Sequence, residues 1–197
     1  MQKLPFKKVK LDAKQRRLWE DTLAAVAWIG PGFIHIVHTM LSNTGDDEVA
    51  LFTEEINFPA ATDGYQLIFK PSAFFTRPLM KRVFMVFHEV MHEVLNHVGA
   101  AYYFQKQGYI ELNGKRLPWS PMFSNIMQDY GINATLIASK FGEYDPAWLH
   151  DPALSAETIT WIELYFREWK TRGLNLLIRQ TRYGTRGWRQ GCASGVP

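Results

Sequence analysis

Cysteine is nearly absent. Cys192 stands alone in 197 residues, so no internal disulfide can form and no cysteine-based zinc site can be built. A lone thiol fits a reducing compartment. No apolar run reaches membrane-spanning length, and the basic start MQKLPFKKVKLDAKQRR has no apolar stretch behind it of the kind a secretory signal carries. The expected location is therefore cytoplasmic, with no membrane partner. Excess charge is missing as well: a net charge of +3 is too small to argue for nucleic acid or an anionic membrane, and neither is an expected partner. Internal repeats and low-complexity tracts are lacking too. What the chain does have is core-forming material. With 47% hydrophobic and 14% aromatic residues, a chain of this length can bury one sizeable domain.

That domain is expected over residues 1–172. From Gly173 onward Arg179, Arg182, Arg186 and Arg189 occur with no acidic residue and little hydrophobic period, which reads as a basic, flexible tail over 173–197. Within the domain, Leu11 to Ile29 has helical spacing, with Asp12 as N-cap and Gly30-Pro31 as the stop. Phe33 to Met40 is rich in β-branched and aromatic residues and reads as a strand. His35 and His38 would then lie on opposite faces, unable to share a metal ion. A turn is expected over Asn43 to Glu48 and a second strand over Ala50 to Phe58. Ala61-Thr62-Asp63-Gly64 makes a tight turn into a third strand, Tyr65 to Phe69. Asn113-Gly114 marks a hairpin over 109–118. Ser120-Pro121 opens a helix running to about Lys140, and Glu157 to Lys170 is a last amphipathic helix.

The chemistry lies in Val83 to Val98, read as one helix with Thr76 as its cap. It is apolar almost all the way round, yet it carries His88-Glu89-Val90-Met91-His92. Residues four apart in a helix lie about 40° apart on one face, so both imidazoles can address one ion. Burying His and Glu in such a helix costs several kcal/mol unless they find partners, and a dication is a fitting partner. Two neutral imidazoles, an open coordination position and an adjacent carboxylate are what zinc-assisted attack of water on a carbonyl needs, with Glu89 as the catalytic general base.

Downstream, Asn125, Asp129 and Asn133 recur every four residues amid Ile126, Met127, Ile132, Leu136 and Ile137, placing polar groups where core would be expected. His97 is nine residues beyond His88, about 180° round an unbroken helix, and so would point away from the metal in a mainly structural role. Asp129 is the other candidate for a third ligand. Its alternative is a supporting role, accepting a hydrogen bond from His97 or from a backbone group. Tyr130, beside it, is a candidate oxyanion stabiliser.

The run Ala61-Thr62-Asp63-Gly64, a strand, a loop at Pro71, His88-Glu89-Val90-Met91-His92 with His97 five residues on, and the Asp129-to-Asn133 helix resembles a metallopeptidase domain family of bacteria and their phages. In that family the domain often precedes a von Willebrand A-like domain; residues 173–197 are not expected to form one. The resemblance covers roughly residues 12 to 170. It implies an α+β, zincin-like fold, with a small sheet packed on a central metal helix and a following helix that supplies the third ligand. It also implies a Zn2+ cofactor and hydrolysis of peptide or protein substrates. The order of elements is similar to gluzincin-type proteases such as thermolysin, where the following helix gives a carboxylate ligand and, one turn on, a polar residue orienting a ligand imidazole. Asp129 and Asn133 match those positions. The strand Tyr65 to Phe69 is the expected edge for an extended peptide. The alternative is a catalytically idle, zinc-stabilised interaction module or phage accessory protein.

Overall fold

The computed structural model describes residues 6–44, 50–151 and 160–170; the expected tail and most of the turn at 43–48 lie outside them. The first helix, α1 (Ala13–Ile29), begins where Asp12 Oδ1 accepts from the Gln15 amide at 2.8 Å and Gln15 Oε1 accepts from the Asp12 amide at 3.1 Å. This reciprocal cap satisfies two backbone donors that the first turn would otherwise leave bare. Its buried Trp19 lies within 5.5 to 5.8 Å, ring to ring, of Phe52, Phe69 and Phe74.

After a 3-10 turn at Pro31–Phe33 the expected strand is a helix, α2 (Ile34–Ser42). Val37, Met40 and Leu41 recur at i, i+3 and i+4, all are buried, and this packing overrides the β propensity of the side chains. His35 and His38 sit on its exposed outer side and belong to no metal-capable group among the described residues.

The main sheet is small: β1 (Leu51–Phe52), β2 (Ala60–Thr62) and β3 (Leu67–Phe69), in the order β1-β3-β2. β1 runs parallel to β3, and β2 antiparallel to it with Ala61 opposite Ile68. The expected second strand is thus only two residues long, and Ala61 and Thr62 belong to β2 rather than to a turn. The turn itself is held by Asp63 Oδ1, which accepts from the amides of Tyr65 and Gln66. β3 is fully buried and hydrogen-bonded on both sides, so the third strand is the centre of the sheet and not its edge.

A short α3 (Pro71–Phe74) leads to α4 (Leu79–Val94), which packs against α1 and β2. Thr76 does not cap α4; its hydroxyl donates to the carbonyls of Ser72 and Ala73, and α4 starts at Pro78 with no side-chain cap. Nor does α4 reach Val98. It stops at Leu95, Asn96 turns left-handed at φ 51°, and α5 (His97–Gln107) starts in a new direction.

The hairpin of β4 (Tyr109–Leu112) and β5 (Lys115–Pro118) turns on Asn113 and Gly114, both with positive φ as a two-residue hairpin loop requires. Then α6 (Pro121–Ser139) is capped by Ser120, and α7 (Trp161–Glu168) by Thr160 in a second capping box. Two cores result. The larger gathers α1, α2, the sheet and α4 with Ile132 and Leu136; the smaller gathers Ile110, Phe123, Met127, Leu164, Tyr165 and Trp169. The architecture is therefore mixed α+β, mostly helical with small sheets. No single described helix is long and apolar enough to cross a membrane.

Candidate metal centre

The helix α4 brings His88 Nε2 and His92 Nε2 to 3.3 Å, and α6 delivers Asp129 Oδ1 to 3.4 Å from the first and 3.2 Å from the second. The three atoms form a nearly equilateral triangle. A tetrahedral ion with ligands at about 2.0–2.1 Å requires edges of about 3.3–3.4 Å, so the spacing is that of three corners of a zinc tetrahedron. Asp129 Oδ1 is buried and, despite those short distances, accepts no hydrogen bond of acceptable geometry among the described residues. The three atoms thus lie around a common point, the two imidazole nitrogens also within hydrogen-bond distance of each other. The donor set suits a divalent ion: two imidazoles and a carboxylate within reach of one centre.

Neighbouring groups hold Asp129 and His88 in place. Asn125 Nδ2 donates to Asp129 Oδ2 at 3.0 Å, leaving Oδ1 for the shared point. On the far side of His88, Nδ1 lies 2.9 Å from Asn133 Oδ1, and Asn133 Nδ2 donates to the Leu149 carbonyl at 2.7 Å. That carbonyl fixes which way the amide faces, so Oδ1 meets the ring and Nδ1 carries a proton, which leaves Nε2 as the atom on the triangle. Leu149 is brought there by the segment after α6, which is strapped to the start of α4. The Glu143 amide donates to the Met80 carbonyl, and Asp145 pairs with Arg77 at 2.6 Å and Lys81 at 3.3 Å. A loop carbonyl of this kind leaves no trace in the sequence.

Electrostatics follow from the crowding. Burial works against a charge on His88, but attraction to the Asp129 carboxylate beside it, with help from Glu89 and Asn133, pushes its pKa up to about 9. Burial would raise the Asp129 carboxyl; His88 and His92 outweigh it and hold the group well below the usual carboxylate range. Glu89 is buried and its pKa is raised, first by desolvation, against the pull of the two imidazoles and with some help from Asp129.

His97 departs from expectation. Because the helix breaks at Asn96, its ring swings back and Nδ1 comes to 3.1 Å from His92 Nδ1. It is buried, and its pKa is lowered to about 3, first by desolvation and then by the charge on His92. His97 is therefore neither turned away from the site nor a member of the converging triangle. Tyr130 packs its ring against the smaller core and is not part of the triangle either.

A family model described as "Putative metallopeptidase domain" matches residues 49–170, well over half the chain, and the protein belongs to that family. No curated protein and no solved structure matches it. The match spans every residue of the triangle together with Glu89, His97 and Asn133.

Proposed function

We propose that the protein is a zinc-dependent peptidase of zincin-like architecture, with His88, His92 and Asp129 holding the ion and Glu89 as general base. The observation that carries this reading is the ligand triangle with edges of 3.2 to 3.4 Å beside a buried carboxylate. When bound, such an ion supplies Lewis acidity at a scissile carbonyl and makes water more acidic. Glu89 takes one proton from the attacking water onto a carboxylate oxygen as the new C–O bond forms. The same carboxyl then gives that proton to the departing amide nitrogen as the C–N bond breaks. A raised pKa serves both halves, making the carboxylate a better acceptor than an exposed glutamate near neutral pH. Asn133 and Asn125 keep a ligand imidazole and the carboxylate oriented, so that little reorganisation accompanies the reaction. An extended peptide would pair with the outer edge of β2, because β3 is occupied on both sides and β2 lies against α4.

The test is Glu89→Gln, assayed for zinc content and for cleavage of a peptide library. Gln is nearly isosteric and leaves the ligands intact, so stoichiometric zinc is expected with turnover reduced about a hundredfold or more. Unchanged cleavage would remove Glu89 from the mechanism. Zinc bound by the wild type with no cleavage of any peptide would identify a zinc-stabilised interaction module instead.

A further inference from the structure

We infer that His97 is a positioning residue for the metal centre: its Nδ1 accepts the Nδ1 proton of His92 and so holds His92 in the tautomer that can bind a metal. This rests on the proposed metal site and adds a residue to it. The geometry comes first. His92 uses Nε2 on the triangle, 3.2 Å from Asp129 Oδ1 and 3.3 Å from His88 Nε2, while its other nitrogen lies 3.1 Å from His97 Nδ1. Two imidazole nitrogens at that distance share one proton. If it sits on His97, His92 must carry its own on Nε2 and cannot coordinate. If it sits on His92 Nδ1, Nε2 is bare and aimed at the ligand point. Metal binding therefore selects the second arrangement, and His97 is then protonated at Nε2.

The chain builds His97 for the accepting role. Asn96 adopts the left-handed conformation and ends α4; His97 is the first residue of an 11-residue helix, where the positive end of the helix dipole disfavours an imidazolium. The ring is 2% exposed and packs against Trp161 of α7 with centroids 6.0 Å apart, so it cannot swing into water to find another partner. Its Nε2 has no hydrogen-bond partner among the described residues, which leaves the contact with His92 as its one polar tie there. The two ligand histidines are thus supported by different chemistries. An amide oxygen from α6 holds His88, and a third imidazole from α5 holds His92.

The experiment compares wild type, His97→Phe and His97→Gln. Phe keeps an aromatic ring against Trp161 but removes the acceptor; Gln restores an amide oxygen of the kind Asn133 offers His88. Zinc affinity is measured by competition with a chromophoric chelator, and melting temperature is measured in excess chelator. The expected result is a tenfold to hundredfold weaker zinc affinity for His97→Phe, the usual scale for losing a group behind a ligand histidine. Most of it should be recovered in His97→Gln, with both chelated variants still folding cooperatively. In the zinc-loaded wild type, long-range imidazole 15N–1H correlation should find protons on His92 Nδ1 and His97 Nε2. Wild-type zinc affinity in His97→Phe, or protons on the opposite nitrogens, would overturn the inference while leaving the metal site standing. Complete loss of zinc in both variants would overturn it by making His97 a ligand. A wild type that binds no zinc would overturn the metal reading and this inference together.

Discussion

Removing the ion from a zinc-loaded sample should expose a pH dependence that the loaded protein lacks. With metal stripped by chelator, the half-buried His88 and Asp129 face each other as a charged pair, and the pKa of His88 is then raised from 6.5 to about 9. A pKa raised on folding contributes stability that is fully present below the unfolded value and is lost as pH rises through the folded one. The window is therefore pH 6.5 to about 9, and a shift of this size is worth about 3 kcal/mol. For a chain of this length, 1 kcal/mol moves the melting temperature by about 2–4 °C, so the chelated protein should lose roughly 6–12 °C between pH 6.5 and 9.5. The zinc-loaded protein has no proton at His88 Nε2 to lose. Zinc at a thousandfold excess over its Kd should add about 4 kcal/mol, or about 8–16 °C, and the gap between loaded and chelated samples should widen with pH. Differential scanning calorimetry at several pH values in chelator and in zinc measures both curves. A chelated melting temperature that is flat across this window would refute the claim that a charged pair stands in for the ion. Parallel slopes in the two samples would refute the claim that ion and proton compete for one place.

Two further substitutions probe the framework. Asp129→Ala removes an anionic oxygen donor, so zinc affinity and cleavage should fall together and recover partly at high zinc; equilibrium dialysis showing full occupancy at wild-type affinity would dismiss Asp129 as a ligand. Gly142→Ala should lower the melting temperature by about 4 °C or more in chelator, because Gly142 has φ +91° and a Cβ would come within 2.6 Å of the Phe84 amide and 2.7 Å of the Met80 carbonyl. An unchanged transition would mean that the segment carrying Leu149 is not packed on α4 as described.

The metal helix was legible because its polar residues break an otherwise apolar run at a helical interval, and α6 was legible for the same reason, through Asn125, Asp129 and Asn133. Both periodic signals survive without any knowledge of tertiary contacts. The caps were legible too: Asp12 and Ser120 announce α1 and α6 through short-range hydrogen bonds. Readings failed where the deciding term is long-range or rests on an uncommon backbone state. Phe33 to Met40 has the composition of a strand, and only the burial of Val37, Met40 and Leu41 in the larger core makes the helical stripe count. The break before His97 needed no Gly or Pro, because Asn tolerates the left-handed region, so the rotation argument for His97 was sound for an unbroken helix and inapplicable to this one. An Asn immediately before a histidine inside a helical pattern was the signal available. Strand order, which moved the free edge from β3 to β2, depends on the parallel β1 partner and has no local signature.

Asp129 stands on α6 at the point where one core gives way to the other, with Phe123 and Met127 behind it in the smaller cluster and Ile132 and Leu136 ahead in the larger. The histidines of the triangle ride on α4, whose apolar side chains belong to the larger cluster alone. Regions that differ in packing can open separately and with different free energies. Loosening of the hairpin, α7 and the first half of α6 would draw Asp129 away from His88 and His92. Exchange of a held ion with the surrounding solution is then gated by how often the smaller core breathes, and a substitution at Tyr165 or Trp169, nowhere near the ligands, would alter how long the ion resides.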